Sequence, residues 1–124
     1  GRRMAQLAGL PYSHGEPISI LRYLPGQEYR VHHDFLSPND PDLVAHGQRL
    51  KTALAYLNHG YVGGETQFVE AGVKFAGKTG DVLVFVNATE MGSADFTVRH
   101  AGLPIERGEK WIASLWLRDR PFCG

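Results

Sequence analysis

Eight short runs of β-branched and aromatic residues, each cut off by glycine, proline or a polar turn, constrain this chain more than any other feature. They are ISILRYL (18–24), YRVHHDF (29–35), LKTALAYLN (50–58), ETQFV (65–69), VKFA (73–76), DVLVFVN (81–87), FTVRHAG (96–102) and KWIASLWLRD (110–119). PGQ, SPNDPD, HGYVGG, AGKTG and ERGEK separate them. Runs of that length and composition read as strands, and eight of them with turn residues between predict a mainly β fold, a double-stranded β-helix or jelly roll. RRMAQLAGL (2–10) is the one segment that reads as a short helix, closed by Gly9 and Pro11.

The 124 residues, 13.7 kDa, suffice for one core, and no repeat or heptad marks a second, so a single domain over 1–124 is expected. The abrupt start at GRRMAQ, with one short helix to cover a whole sheet, predicts an N-terminally truncated part of a longer protein. Thirteen basic residues balance thirteen acidic ones. No global field therefore favours nucleic acid or an anionic membrane, and neither is expected as a partner. No apolar run approaches the roughly 20 residues that span a bilayer, and no signal-peptide pattern is present. Cys123 is the single cysteine, which excludes an internal disulfide and suits a reducing compartment; a soluble, cytoplasmic protein is the expectation.

Alternation along the last run separates two faces. Lys110, Ile112, Ser114, Trp116 and Arg118 share one; Trp111, Ala113, Leu115 and Leu117 share the other, which is wholly apolar and must be covered. The N-terminal helix, through Met4 and Leu7, is one candidate cover, and a second copy of the chain in a homodimer is the other.

The same parity bears on YRVHHDF. Residues i and i+2 point the same way, so His32 and Asp34 can converge on one ion while His33 points away. A third ligand is expected from across the barrel, and His100, on a late strand, is the candidate. Two histidines and one carboxylate form a facial set with open positions, as in non-haem Fe(II) oxygenases. His14, His46 and His59 sit in loop-like contexts and read as surface histidines. Lys110 comes ten residues after His100, on the face shared with Ser114 and Trp116. A lysine pointing into a barrel is desolvated unless an anion meets it. A 2-oxo dicarboxylate would chelate the metal at one end and reach Lys110 with its distal carboxylate. The rival reading is a lysine that snorkels to water.

YLPGQEYRVHHD (23–34) resembles the Tyr-x-x-Gly-x-x-Tyr-x-x-His-x-Asp segment of the prolyl 4-hydroxylase-like 2-oxoglutarate- and Fe(II)-dependent dioxygenases. RLKTALAYLN, GGETQF, GDVLVF and HAGLPIERGEKWIASLWLRD resemble that family's later blocks in the same order, from about Met4 to Phe122. The resemblance implies that His32, Asp34 and His100 are iron ligands and that Lys110 pairs with the distal carboxylate of 2-oxoglutarate. It implies that Tyr56 helps hold the same carboxylate and that Tyr23 falls at the pocket, where Ser114 and Trp116 are further candidates for cofactor contact. Tyr29, Arg49 and Trp116 match positions near a peptide substrate, and Gly63 and Gly64 match a turn. Fe(II), the cosubstrates 2-oxoglutarate and O2, and ascorbate follow from the resemblance, as does hydroxylation of a peptidyl residue, proline first. Hydroxylation of a free amino acid or another small molecule, and a catalytically idle metal-binding interaction module, stay as alternatives.

Overall fold

The computed structural model describes residues 1–122; Cys123 lies outside them. The turn-punctuated runs form strands β1 (Ser19–Tyr23), β2 (Tyr29–His32), β3 (Arg49–Tyr56), β4 (Val62–Gly63), β5 (Thr66–Phe68), β6 (Val73–Phe75), β7 (Val82–Val86), β8 (His100–Gly102), β9 (Ile105–Arg107) and β10 (Lys110–Arg118). Two four-stranded antiparallel sheets face each other, one in the order β1-β10-β3-β7 and the other β2-β8-β5-β6, which is the jelly roll that the runs predict.

Period-2 alternation on the first sheet builds two separate apolar layers. Leu54, Tyr56, Phe85 and Ile112 point between the sheets, with Leu21, Tyr23, Phe68 and Leu83 against them. Ala53, Leu115 and Leu117 point outward and pack under Met4, Ala5 and Ala8 of helix α1 (Arg2–Ala8). Small residues let the helix lie close to the sheet. Gly9 ends it in the left-handed region at φ 76°, and Lys51 donates to the Ala8 carbonyl at 2.7 Å, satisfying one of its last acceptors. The helix therefore covers the face at Leu115 and Leu117. Leu7 takes no part and is 52% exposed, because at about 100° per residue it lies well round the helix from the stripe of Met4, Ala5 and Ala8.

Several elements differ from the sequence expectation. β4 and β9 form a two-stranded ladder of their own, hidden in segments whose glycines and proline read as turn. The 96–102 run is strand only from His100: Asp95 accepts a hydrogen bond from the Thr97 amide at 3.0 Å and turns Phe96–Val98 into a 3-10 helix. The polar stretch after β2 contains a second helix, α2 (Pro41–His46), with Asp40 accepting from the Asp42 amide at 2.9 Å and Pro41 at the first position. Those residues are a helix start signal as well as a turn signal. No helix among the described residues is long and apolar enough to cross a membrane.

Met4→Ala should destabilise the fold by about 2–5 kcal/mol through a cavity under α1, whereas Leu7→Ala should stay within about 0.5 kcal/mol. Urea unfolding of the two variants measures the difference, and equal losses would contradict the helix face described.

Candidate metal centre

Strand register makes the cluster. β2 and β8 run antiparallel with His32 directly opposite His100, so their inward side chains are neighbours and the ring centroids lie 4.2 Å apart. The third candidate ligand thus stands on the adjoining strand of the same sheet and not, as the sequence predicts, across the barrel. β2 ends at His32, yet Asp34, two residues on, keeps the inward side and is buried. His33 is exposed and packs edge-on against Phe96, 5.5 Å between centroids. One ligand atom from each of His32, Asp34 and His100 lies within 4.8 Å of the others, the only such cluster among the described residues. His14, His46 and His59 stay outside it. His14 Nδ1 lies 3.1 Å from the Arg118 carbonyl and His59 Nδ1 lies 2.7 Å from the Thr79 hydroxyl.

Both histidines have one ring nitrogen already engaged. His32 Nδ1 lies 2.7 Å from the Arg30 carbonyl and His100 Nδ1 lies 2.9 Å from the Val98 carbonyl. A carbonyl only accepts, so in the neutral ring each Nδ1 carries the proton and Nε2 keeps a lone pair for an ion. Asp34 offers Oδ1 at 3.4 Å from His32 Nε2 and Oδ2 at 3.7 Å from His100 Nε2. The Thr52 hydroxyl donates to Oδ2 at 2.7 Å. Burial opposes the charge on Asp34, but the two histidines and Thr52 outweigh it and hold its carboxyl below the usual range. Burial, against the pull of Asp34, lowers the His100 pKa, whereas at His32 Asp34 and the Arg30 carbonyl outweigh burial and raise it. An ionised carboxylate with two directed imidazole nitrogens suits Fe(II) or a similar divalent ion.

The cavity beside this cluster lies between the sheets, and Lys110, Ser114, Trp116, Tyr23 and Tyr29 all line it. Lys110 is only 3% exposed, and its Nζ donates to the Gly64 carbonyl at 2.7 Å. Burial pushes its ammonium down to about 8, with the Glu65 carboxylate pulling back. Gly64 stands at φ 70°, and a Cβ there would meet Ile105 Cδ1 at 2.3 Å, so glycine is needed for the carbonyl to reach the lysine. Tyr29 stacks on the His32 ring at 3.9 Å. Parity would send the two apart, but a bulge in β2 sets Tyr29 opposite Gly102 and His32 opposite His100, a step of three residues against a step of two.

Two expected site residues stand behind the wall. Tyr56 is buried at 1% exposure with its hydroxyl 2.7 Å from Thr66 Oγ1, and Thr66 is the group that lines the cavity. Arg49 grips Glu16 at 2.6 and 3.0 Å and lies 4.4 Å over the Trp116 ring. Thr52, Thr66 and Asn87 were not legible as site residues, since a threonine in a β run reads as ordinary strand composition.

A profile of the 2OG-Fe(II) oxygenase superfamily matches residues 18–118. The chain is 40% identical over 118 residues to a protein of Acanthamoeba polyphaga mimivirus provisionally named a prolyl 4-hydroxylase, covering 91% of this chain and 49% of that one. It is 33% identical to human prolyl 4-hydroxylase subunit alpha-1, over 95% of this chain and 23% of the subunit. Among solved structures, the 2OG complex of the viral collagen prolyl hydroxylase of Paramecium Bursaria Chlorella virus-1 superposes with a TM-score of 0.72 at 35% identity, covering 84% of this chain and 59% of that one. The chain thus spans about half the length of the first of these relatives and less of the human subunit.

Metal titration should lose Mn(II) and Fe(II) binding in His32→Ala, Asp34→Ala and His100→Ala and retain it in His33→Ala. A His33→Ala affinity as poor as that of His32→Ala would contradict the side-chain directions described.

Proposed function

Because the chain belongs to the 2OG-Fe(II) oxygenase superfamily, we propose that His32, Asp34 and His100 hold Fe(II), that 2-oxoglutarate lies beside them with its distal carboxylate on Lys110, and that the protein hydroxylates a peptidyl residue, proline first. The observation that carries this reading is the buried Lys110 ammonium in the same cavity as the histidine and aspartate cluster. Nothing but the Gly64 carbonyl meets it within hydrogen-bonding distance among the described residues, which leaves two of its three donors for an anion.

When bound, Fe(II) supplies oxidative decarboxylation of 2-oxoglutarate by O2, coupled to hydroxylation of a C–H bond. Ascorbate is the reductant proposed to keep the iron ferrous. The chain's residues position and exclude. Lys110 anchors the distal carboxylate, and Thr66, backed by the Tyr56 hydroxyl, offers a polar group on the facing wall. Leu21, Leu54 and Ile112 give the cavity apolar walls, so charge-assisted contacts there are stronger than in water. The Tyr56 phenol, pushed up to about 12 by burial against the pull of Thr66, stays protonated across the working range.

The case for a peptide rests on the open side. Tyr29 is 42% exposed while also lining the cavity, and Trp116 lines it with Arg49 on its far face. Aromatic surfaces of this kind suit an extended, proline-containing chain, and the relatives named above are prolyl hydroxylases. Incubation with Fe(II), 2-oxoglutarate and ascorbate, comparing proline-containing peptides with free proline and other amino acids, should give succinate together with the mass gain of one oxygen on a peptide. Coupled hydroxylation of a free amino acid alone would overturn the peptide assignment, and no succinate from a folded, iron-loaded sample would favour an idle module.

Lys110→Ala should leave iron affinity intact and weaken 2-oxoglutarate by about 10- to 150-fold, the equivalent of a charge-assisted contact of roughly 1.5–3 kcal/mol. The pH dependence carries the same sign. The ammonium is the binding form and burial lowers its pKa to about 8 in the ligand-free protein. Affinity for 2-oxoglutarate should therefore fall as pH rises through 8, and titration calorimetry should find no such step in Lys110→Ala.

A further inference from the structure

The Asp34 carboxylate is fixed from the opposite sheet. Its Oδ2 accepts from the Thr52 hydroxyl at 2.7 Å, and Thr52 Oγ1 in turn accepts from Asn87 Nδ2 at 2.9 Å. All three side chains are buried, Thr52 and Asn87 at 1% exposure and Asp34 at 5%. Thr52 stands on β3, beside Trp116 of β10 in register, while Asp34 follows β2 in the facing sheet, so the bond crosses the interior of the roll.

The hydrogen-bond directions leave little freedom. A carboxylate only accepts, so the single Thr52 proton is committed to Asp34, and Oγ1 can only accept from its other neighbour. Asn87 must then present its NH2 end. Turned over, the amide would set two acceptors against each other. The backbone of Asn87 is pinned on both sides, its amide donating to the Leu50 carbonyl at 2.8 Å and its carbonyl accepting from the Asp95 amide at 2.9 Å. The other end of the amide, Oδ1, is buried with no partner among the described residues. A buried acceptor left unpaired is unfavourable, and an apolar residue would avoid it at this position. The arrangement makes sense if the NH2 end is what the position needs.

Resting on the proposed metal site, we infer that Thr52, steered by Asn87, is a positioning residue for that site: it binds Oδ2 and so presents Oδ1 of Asp34, in one rotamer, to the ion. Without the Thr52 bond, Oδ2 has among the described residues only His100 Nε2 nearby, at 3.7 Å. The carboxylate would turn about its last torsion, which is broad and soft, and metal binding would have to order it.

Mn(II), followed through the electron paramagnetic resonance of the free ion, tests this in the intact protein without turnover. Thr52→Val keeps the shape and removes the hydroxyl. It should lower Mn(II) affinity by about 10- to 100-fold, the range found when a partner of a metal ligand is lost, while Thr52→Ser should stay within about threefold of the unmodified protein. Asn87→Leu, near-isosteric, should give a smaller loss because Thr52 keeps its proton. Thermal unfolding of the metal-free variants separates lost binding from lost fold. Unchanged affinity in a folded Thr52→Val, or equal losses in Thr52→Val and Thr52→Ser, would overturn the inference and leave the metal site standing. If Thr52→Val does not fold, Asn87→Leu decides: reduced Mn(II) affinity supports the relay and unchanged affinity overturns it. Absence of Mn(II) binding by the unmodified protein would remove the metal site and this inference with it.

Discussion

A carboxylate at 5% exposure between two β-sheets is the constraint around which this molecule is arranged. Left unmet, it would take up a proton and lose its charge. Three side chains meet it, Thr52 from one sheet and His32 and His100 from the other, and Asn87 stands behind Thr52. Packing of Leu54, Phe85 and Phe68 holds the sheets together without direction, since apolar contacts tolerate small slides. The Thr52 to Asp34 bond does not, because it is lost within a fraction of an ångström. The polar contacts that keep Asp34 ionised thereby also set how one sheet lies over the other.

A second, partly buried charge ties the neighbouring elements together. Glu16, just before β1, receives Arg49 Nε at 2.6 Å and Arg118 Nε at 2.7 Å, and Arg118 also donates to the Gly47 carbonyl at 2.6 Å. Burial opposes the ionisation of Glu16, and the two guanidinium groups prevail and keep its pKa low. One carboxylate thus joins the chain before β1, the start of β3, the end of β10 and the loop after α2. Arg49, held in this way, backs the Trp116 ring from 4.4 Å, which gives the open side of the cavity a fixed aromatic surface. Asp34 and Lys110 thus organise the cavity from within, and Glu16 acts on it from outside through Arg49 and Trp116.

Much of this site was legible along single strands. Parity placed His32 and Asp34 together and His33 apart, put Lys110, Ser114 and Trp116 on one wall, and marked the outer face of Leu115 and Leu117 as needing cover. Parity failed where a strand is irregular. Tyr29 reaches the cavity only because β2 carries a bulge, and nothing in YRVHH marks its position. It failed again for side chains that work through a partner. Arg49 and Tyr56 match family positions, yet their contacts with Glu16 and Thr66 depend on residues 33 and 10 positions away in sequence and on how the strands meet.

The sequence by itself determined where eight of the ten strands lie to within a few residues, which face most of their inward residues occupy, and that two histidines, an aspartate and a lysine of the right kinds are present. These follow from turn chemistry and from the period of 2, both of which are local. Tertiary structure alone decided that His100 sits on the strand beside His32, that the hydroxyl behind Asp34 belongs to Thr52, and that α1 covers the outer face through its alanines. Each depends on strand pairing and sheet packing between segments far apart in the chain. A slip of one residue would turn every side chain of a strand to the other face, and the local run of residues would read the same.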